Sequence, residues 1–190
     1  KYFLENRQEH KIFSKGKFIN RSFFVAKLIL KTLKIRKNLK VVDIGCFNGN
    51  LLNNLSQSLV KSTFVGFEKN NFCKKIFPKK KNFVFIKNEI QNIPKNFDAI
   101  IFSHSIFYFE NLKETISIVS SRLKENGKIF IVIPDINKNP FYSLMGDQKA
   151  IFTKINIINV FKFFGIGLKV IKQNYLKNEI ILYGQKVNKK

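Results

Sequence analysis

The chain alternates between short β-rich runs and stretches of helical periodicity, and this alternation constrains its fold more than any other feature. Apolar residues recur at helical spacing in segments at 20–33, 50–58, 71–77 and 112–123. The β-rich runs predict strands at 40–44, 62–67, 82–86, 97–102 and 128–133. Strands that alternate with helices are typical of a parallel sheet with helices on both faces.

The last third of the chain departs from this pattern. Thr153 is a good N-cap for a helix to about Phe164, and two strands follow at 168–173 and 180–185. The few residues between those strands cannot form a parallel crossover, so the two strands must be antiparallel. We therefore expect an α/β fold: a Rossmann-like, doubly wound, seven-stranded sheet in which five parallel strands precede a terminal hairpin, with the last strand antiparallel. One structural domain is expected, with residues 1–37 as a helical cap over the ligand pocket and 38–190 as the main body.

The composition is that of a globular protein with an excess of basic charge. The formal net charge is +23, which attracts nucleic acid. Only four basic residues are arginine, and the abundant Lys, Asn, Ile and Phe share AT-rich codons, so genome composition accounts for the excess. No apolar run approaches the roughly 18 residues of a membrane span. The two cysteines have no metal-site spacing, no metal is predicted, and a reduced cytoplasmic compartment is expected for a chain that begins at Lys1 without a signal-peptide layout.

The stretch VVDIGCFNGNLL, residues 41–52, joins a short strand to a helix through a glycine turn. A turn that binds a dinucleotide reads G-x-G-x-x-G, in which the second glycine lets the backbone approach a diphosphate. Here Gly45 is followed by Phe47 at the second position and by Asn50 at the third. A phenylalanine side chain conflicts with a bound diphosphate, so the turn disfavours NAD.

The arrangement resembles the class I S-adenosylmethionine-dependent methyltransferases, whose first motif is D/E-x-G-x-G-x-G. Asp43, Gly45 and Gly49 match that motif, and Phe47 replaces its middle glycine. The resemblance implies S-adenosyl-L-methionine as the cofactor. It implies that Asp43 meets the methionine ammonium and that the two glycines pass beneath the cofactor.

The same resemblance implies further cofactor contacts at the ends of the next strands. Glu68 ends the second strand, in FVGFEKN, where an acid accepts from the ribose hydroxyls. The segment FIKNEIQNIPKNFDAIIF places Glu89 at the acid that accepts from the adenine amino group, with Ile90 against the ring. The remaining predicted cofactor-binding residues are neighbours of these motifs: Cys46, Phe47, Lys69 and Ser103.

The candidate catalytic residues are His104, Tyr108 and Tyr142. Family members often read SHVLEH after the fourth strand, and His104 in SHSIFYFEN matches the first histidine. By this resemblance His104 lines the cofactor, orients the acceptor or acts as a base. The alternative is a histidine that packs or contacts the cofactor and transfers no proton. The loop at 134–153 resembles that of a subset acting on sugars and other small metabolites, but Gln148 and Ile151 replace its histidines.

The resemblance predicts methyl transfer to a small-molecule or carbohydrate-linked acceptor. Aromatic residues at 107–109 and 141–142 favour an apolar-walled pocket over an open groove for RNA. SHSI also differs from the N/D-P-P-Y/F motif usual in enzymes that methylate exocyclic amines of nucleic acids. An RNA methyltransferase and a non-catalytic cofactor-binding module of the same fold are the alternatives.

Overall fold

A computed structural model describes residues 9–33, 38–144 and 146–186 of the chain. The strands are β1 Lys11–Ser14, β2 Lys17–Asn20, β3 Lys40–Ile44, β4 Thr63–Phe67, β5 Phe83–Ile86, β6 Phe97–Ser103, β7 Leu123–Pro134, β8 Ile166–Val170 and β9 Glu179–Lys186. The helices are α1 Arg21–Leu33, α2 Asn50–Ser56, α3 Asn71–Ile76, α4 Leu112–Arg122 and α5 Lys154–Phe163, with short 3₁₀ turns at Ile90–Asn92, Ile106–Tyr108 and Pro140–Leu144.

The main sheet has seven strands in the order β5-β4-β3-β6-β7-β9-β8. Strands β3 to β7 are mutually parallel, whereas β9 lies antiparallel between β7 and β8. The predicted class, with five parallel strands and a terminal antiparallel hairpin, is therefore confirmed. Because strand order reverses between β3 and β6, the carboxyl ends of these two strands open a crevice, which is where open α/β sheets bind ligands.

Apolar side chains cover both faces of this sheet, since neighbouring residues of a strand point to opposite sides. Val41 belongs to the core under α1 and α2, and Val42 belongs to the core under α4 and α5. Both are fully buried. Their burial explains why the parallel strands read as continuous apolar runs.

The N-terminal segment differs from the predicted helical cap. Helix α1 begins one residue later than expected, and a two-stranded hairpin, β1–β2, precedes it. The hairpin turns at Lys15 and Gly16, which both have positive φ, 49° and 76°. Helix α1 packs beside α2 against the sheet, so the helix itself is a layer of the core and only residues at its start face the crevice. The other predicted cap residues, 1–8 and 34–37, lie outside the described residues.

Strand β7 is longer than predicted and begins at Leu123, directly after α4. The sequence ENG therefore lies within the strand rather than in a loop before it, and Asn126 has a φ of 61° there. Asp98 accepts from the backbone N–H of Lys40 at 2.8 Å and from Nζ of Lys124 at 2.8 and 2.9 Å, so this carboxylate joins the starts of β3, β6 and β7. Within the described ranges, no helix is both long enough and apolar enough to span a membrane.

Candidate active site

The glycine turn after β3 is fixed by its packing against two neighbouring loops. A Cβ on Gly45 would lie 2.5 Å from Cβ of Ser105, and one on Gly49 would lie 2.7 Å from the Phe77 ring. Both glycines also have positive φ, 77° and 72°. The Ser105 hydroxyl donates to the Ile44 carbonyl, and the N–H groups of Gly45 and Cys46 both donate to the Phe67 carbonyl. The turn therefore needs glycine at both positions to pass between β4 and the loop after β6.

A cleft of about 710 Å³ opens beside this turn, at the carboxyl ends of β3, β4 and β6. Nine of the predicted site residues line it: Gly45, Phe47, Glu68, Lys69, Glu89, Ile90, Ser103, His104 and Tyr108. The structure thus brings together residues from four separate motifs of the sequence. The volume suits a ligand of a few hundred daltons.

Asp43 lies behind the cleft lining, one residue before the end of β3, and is 2% exposed. Within the described part of the chain, its Oδ1 atom has no hydrogen-bond partner. Burial, and then the nearby Glu68 carboxylate, raise the pKa of Asp43 to about 7, while Arg21 acts in the opposite direction. A buried carboxylate without a donor is costly, so this atom fits a ligand that brings a cationic or N–H donor.

Glu68, at the tip of β4, is half-buried and holds the glycine turn through its own carboxylate. Its Oε2 accepts from the N–H of Phe47 at 3.2 Å, and its Oε1 accepts from the N–H of Asn70 at 3.1 Å. Each carboxylate oxygen has two lone pairs, so both can accept a further bond from a diol in the cleft.

The far end of the cleft combines a charged edge with an apolar wall. The Glu89 carboxylate is 62% exposed and lies 3.4 Å from Nζ of Lys69. Ile90 is 7% exposed and presents its side chain to the cleft from the 3₁₀ turn that follows β5. Such a pair can hold a flat heterocycle, with the isoleucine on its face and the carboxylate at its edge.

Four of the predicted residues do not line the cleft. Asp43 lies behind the cleft lining, and Gly49 packs against the Phe77 ring within the turn. Cys46 is 5% exposed, and its sulfur packs beside Gly66, so burial rather than ligand contact explains this cysteine. Tyr142 borders a separate small cavity with Phe107 and Gln148, of about 10 Å³. The structure therefore does not bring Tyr142 together with His104 and Tyr108.

Sequence reasoning missed a cluster of buried charges at the other end of the cleft. Arg21 begins α1, Glu179 begins β9, and the Arg21 guanidinium donates to both Glu179 oxygens, from Nε at 2.5 Å and from Nη2 at 2.7 Å. Its Nη1 donates to Oγ of Ser103 at 3.1 Å. His104 Nε2 lies 3.4 Å from Glu179 Oε2, an electrostatic contact that is not aligned as a hydrogen bond. Because Arg21 and Glu179 are 158 positions apart, no local motif indicates the pair.

The charges of this cluster shift the pKa values of its members in a consistent way. Burial alone raises the pKa of Glu179, but the contacts from His104 and Arg21 outweigh it and lower the value to about 2. Burial and Arg21 lower the pKa of His104, while Glu179 opposes them. At neutral pH the cluster therefore contains an ionised glutamate, a guanidinium and a neutral imidazole.

The lining of the cleft is acidic although the protein is strongly basic. Five glutamates face it: Glu9, Glu68, Glu89, Glu110 and Glu114. Arg21 and Lys69 are the permanently charged cations among the described residues that line it. The whole sequence has only 12 acids against 35 Lys and Arg residues. The acids are thus concentrated at the cleft.

Comparison with known proteins places the chain in a family. Residues 18–155 match the family model described as a methyltransferase domain. A relative named "Putative methyltransferase 235L", from Invertebrate iridescent virus 6, is 24% identical over 141 residues, which cover 72% of this chain and 53% of the relative. The chain thus spans about half the length of that curated relative.

Solved structures share the fold at low sequence identity. A S-adenosylmethionine-dependent methyltransferase from Aquifex aeolicus has a TM-score of 0.72 at 16% identity, covering 87% of this chain and 92% of its own. The YcgJ protein of Bacillus subtilis has a TM-score of 0.74 at 13% identity, and the match covers 87% of this chain and 99% of YcgJ. With the glycine turn, the cleft and the family match on residues 18–155, the chain belongs to the class I S-adenosylmethionine-dependent methyltransferases.

Proposed function

We propose that this protein transfers a methyl group from S-adenosylmethionine to a small-molecule or carbohydrate-linked acceptor. The observation that carries the proposal is an acid-lined cleft of about 710 Å³ at the carboxyl ends of β3, β4 and β6. The cofactor has a sulfonium and an ammonium, so both of its cationic centres are attracted to that lining.

The residues of the cleft fit the parts of this cofactor one by one. The unpartnered Oδ1 of Asp43 suits the ammonium, directly or through water. The Glu68 carboxylate suits the ribose diol, while Glu89 and Ile90 suit the adenine edge and face. The glycine turn supports them from below, with the Phe47 N–H already bonded to Glu68.

The charge of the cleft favours a small acceptor over RNA. RNA binding gains most of its affinity from phosphate contacts with Lys and Arg. Here a polyanion that reached the cleft would meet Glu9, Glu110 and Glu114. Tyr108 and Phe109 add aromatic surface to the wall, which suits a compact acceptor that is partly apolar or bears sugar rings. Tyr142 is not part of the proposed site.

Two binding measurements test the cofactor and the acceptor class separately. Titration calorimetry with S-adenosylhomocysteine should give a Kd in the micromolar range, about −8 kcal/mol, whereas NADH should not bind. Filter binding to total RNA at low and physiological salt should give weak, unselective binding. Tight and selective RNA binding at physiological salt would favour the RNA alternative.

Turnover is tested with labelled S-adenosylmethionine and fractionated small molecules, glycans and RNA. Label should appear in a small-molecule or glycan fraction. Cofactor binding without methyl transfer to any pool would favour a non-catalytic module. A cytoplasmic location belongs to the same proposal, since Cys46 and Cys73 are both buried and the two do not form a disulfide.

A further inference from the structure

We infer that Glu179 and Arg21 position His104 to accept a proton from the acceptor, and that the acceptor atom is therefore a hydroxyl oxygen. This inference rests on the proposed function, because it concerns the acceptor end of the same cleft. His104 was one of the candidates by sequence; Glu179 and Arg21 are new.

The three side chains come from elements that meet only in the folded sheet. Arg21 is the first residue of α1, His104 follows β6, and Glu179 is the first residue of β9. The Arg21 and Glu179 side chains are 12% and 7% exposed, and their two hydrogen bonds form a bidentate pair. Such a pair fixes the plane of the carboxylate.

Backbone hydrogen bonds hold each member in place. The His104 N–H donates to Val132 O at 2.9 Å, and the Arg21 N–H donates to His10 O at 2.9 Å. Glu179 N donates to Leu176 O at 3.0 Å. His104 has a φ of 58°, a conformation uncommon for a residue with a side chain, which this setting maintains. The imidazole is thus oriented by its surroundings before any ligand arrives.

This geometry selects one tautomer of the neutral imidazole. Nε2 of His104 is buried and faces Oε2 of Glu179 at 3.4 Å, so the proton is favoured on Nε2. Nδ1 is not among the buried atoms that lack a partner, and no hydrogen bond to it is formed by the described residues. Since His104 also lines the cleft, Nδ1 carries the lone pair available to an acceptor there.

The surrounding charges suit a group that gains a proton during the reaction. Among the described residues, the charged and titratable groups that act on the pKa of His104 are Glu179, Arg21 and His10. Burial, Arg21 and His10 lower the pKa of His104, so the ring is neutral near pH 7 and able to accept. Arg21 keeps the Glu179 carboxylate ionised, so it can stabilise the imidazolium that forms.

The proton balance indicates the acceptor class. Bound S-adenosylmethionine supplies a methyl group on a positively charged sulfur. As the acceptor oxygen forms its bond to that carbon, the carbon–sulfur bond breaks and its electron pair stays on sulfur. The hydroxyl proton passes to Nδ1 of His104 and from there to solvent. A hydroxyl needs this base because its oxygen is a weak nucleophile while it keeps the proton.

The test is a nitrogen-15 NMR titration of the imidazoles in the full chain, with and without S-adenosylhomocysteine. The sequence has only two histidines, so a His10→Gln variant assigns the His104 signals. We expect the Nε2–H tautomer and a pKa below 6.5 in the wild-type protein. In Glu179→Gln, the pKa of His104 should fall further, because the carboxylate that favours imidazolium is gone.

Measurements of kcat and of ligand affinity distinguish a Glu179 that positions His104 from a Glu179 that only stabilises the fold. Glu179→Gln should lower kcat toward hydroxyl acceptors by about 100-fold while the Kd for S-adenosylhomocysteine changes less than about twofold. Glu125→Gln is the matched control, because Glu125 is exposed on β7 away from the cleft. If Glu179→Gln does not fold, Glu179→Asp keeps the charge but withdraws it by one methylene, and a smaller fall in the pKa of His104 is expected.

An Nδ1–H tautomer in the wild-type protein, or an unchanged His104 pKa in both Glu179 variants, would overturn the inference and leave the proposed function intact. Transfer of methyl label to nitrogen or carbon atoms, and not to oxygen, would overturn the acceptor class. Failure of the wild-type protein to bind S-adenosylhomocysteine would instead overturn the proposed function.

Discussion

Two buried carboxylates beside the cleft, those of Asp43 and Glu179, are in opposite situations. At the end beside the glycine turn, Asp43 is buried with an oxygen that finds no partner among the described residues. Glu179, at the start of β9, has a side chain that is 7% exposed, and both of its oxygens accept from Arg21. The pKa is raised to about 7 in the first and lowered to about 2 in the second.

The difference shows how a fold separates a binding group from a positioning group. A buried carboxylate that lacks a donor destabilises the free protein and gains when a cationic ligand binds. A carboxylate that already has a bidentate partner gains little from a ligand but holds its neighbours in place. We therefore expect substitution of Asp43 to change cofactor affinity, and substitution of Glu179 to change the orientation of His104.

The largest expected effect is that of Asp43→Asn, which should act in opposite directions on stability and affinity. Between pH 3.8 and about 7 the unfolded chain has lost the Asp43 proton and the folded chain keeps it, so the free energy of unfolding of the wild-type protein falls as the pH rises. Asparagine removes this penalty. The variant should gain about 4 kcal/mol in unfolding free energy at pH 8 and less than about 2 kcal/mol at pH 5.

The same substitution should weaken S-adenosylhomocysteine binding by about 100-fold, because the ligand ammonium loses its proposed anionic partner. Urea unfolding at the two pH values and titration calorimetry measure the two effects. Binding of the ligand to the wild-type protein near pH 7 should also release a proton, since the ammonium lowers the pKa of Asp43. Equal stabilities at pH 8, or unchanged affinity, would show that Asp43 is an ordinary core residue.

The next effect in size is that of Arg21→Met at the other end. This substitution removes the Arg21 guanidinium and leaves the Glu179 carboxylate buried without a partner. Breaking a buried ion pair in this way destabilises a protein by about 3 kcal/mol. The paired Glu179, whose pKa is lowered, contributes stability above pH 4.5 that is lost as the pH falls through about 2. The deficit of the variant should therefore shrink as the pH falls below 4.5, as urea unfolding at pH 3 and pH 7 can show.

Lys31→Met is the control for this substitution, because Lys31 is exposed in the last turn of the same helix. It should change the unfolding free energy by less than about 0.5 kcal/mol. The double variant Arg21→Met/Glu179→Met should recover much of the loss, because it leaves no unpaired charge. A double variant less stable than Arg21→Met would mean that the pair stabilises the fold in its own right.

Glu68→Ala should have an intermediate effect, confined to the cofactor end. It removes the acceptor proposed for the ribose and also frees the N–H groups of Phe47 and Asn70. The affinity for S-adenosylhomocysteine should fall about 30-fold, or about 2 kcal/mol. Glu125→Ala is the control, and calorimetry is the measurement. A change below threefold would place the ribose elsewhere.

Sequence reasoning reached the two ends of the cleft unequally, for a physical reason. The cofactor end consists of strand ends and the turn that follows β3, so Asp43, Gly45 and Glu68 carry a local signal. The Arg21–Glu179 cluster is assembled by the order of strands in the sheet, which brings these two residues together over 158 positions. Of this cluster, only His104 could be predicted from local sequence, because it lies in a loop that directly follows a strand.

The short N-terminal hairpin and Tyr142 illustrate the same limit. Strands β1 and β2 have four residues each, too few for alternation to stand out beside the strongly periodic α1. Tyr142 lies in a long loop, where the backbone path is set by contacts distant in sequence. Its side chain borders a small cavity next to Phe107 rather than the cleft.

The smallest expected effect is that of Glu89→Ala. The Glu89 carboxylate is 62% exposed beside Lys69, and a charge in water gains little from one more partner. Ile90, which is buried against the core, keeps the apolar wall proposed for the adenine ring when Glu89 is truncated. We expect the affinity for S-adenosylhomocysteine to fall about threefold at low salt, and the difference to shrink at 0.5 M salt because screening removes most of the electrostatic part. Titration calorimetry at the two salt concentrations, with Lys69→Ala as the paired control, measures this. A loss as large as that of Glu68→Ala would mean that the Glu89 carboxylate, exposed in the free protein, becomes enclosed when the ligand binds.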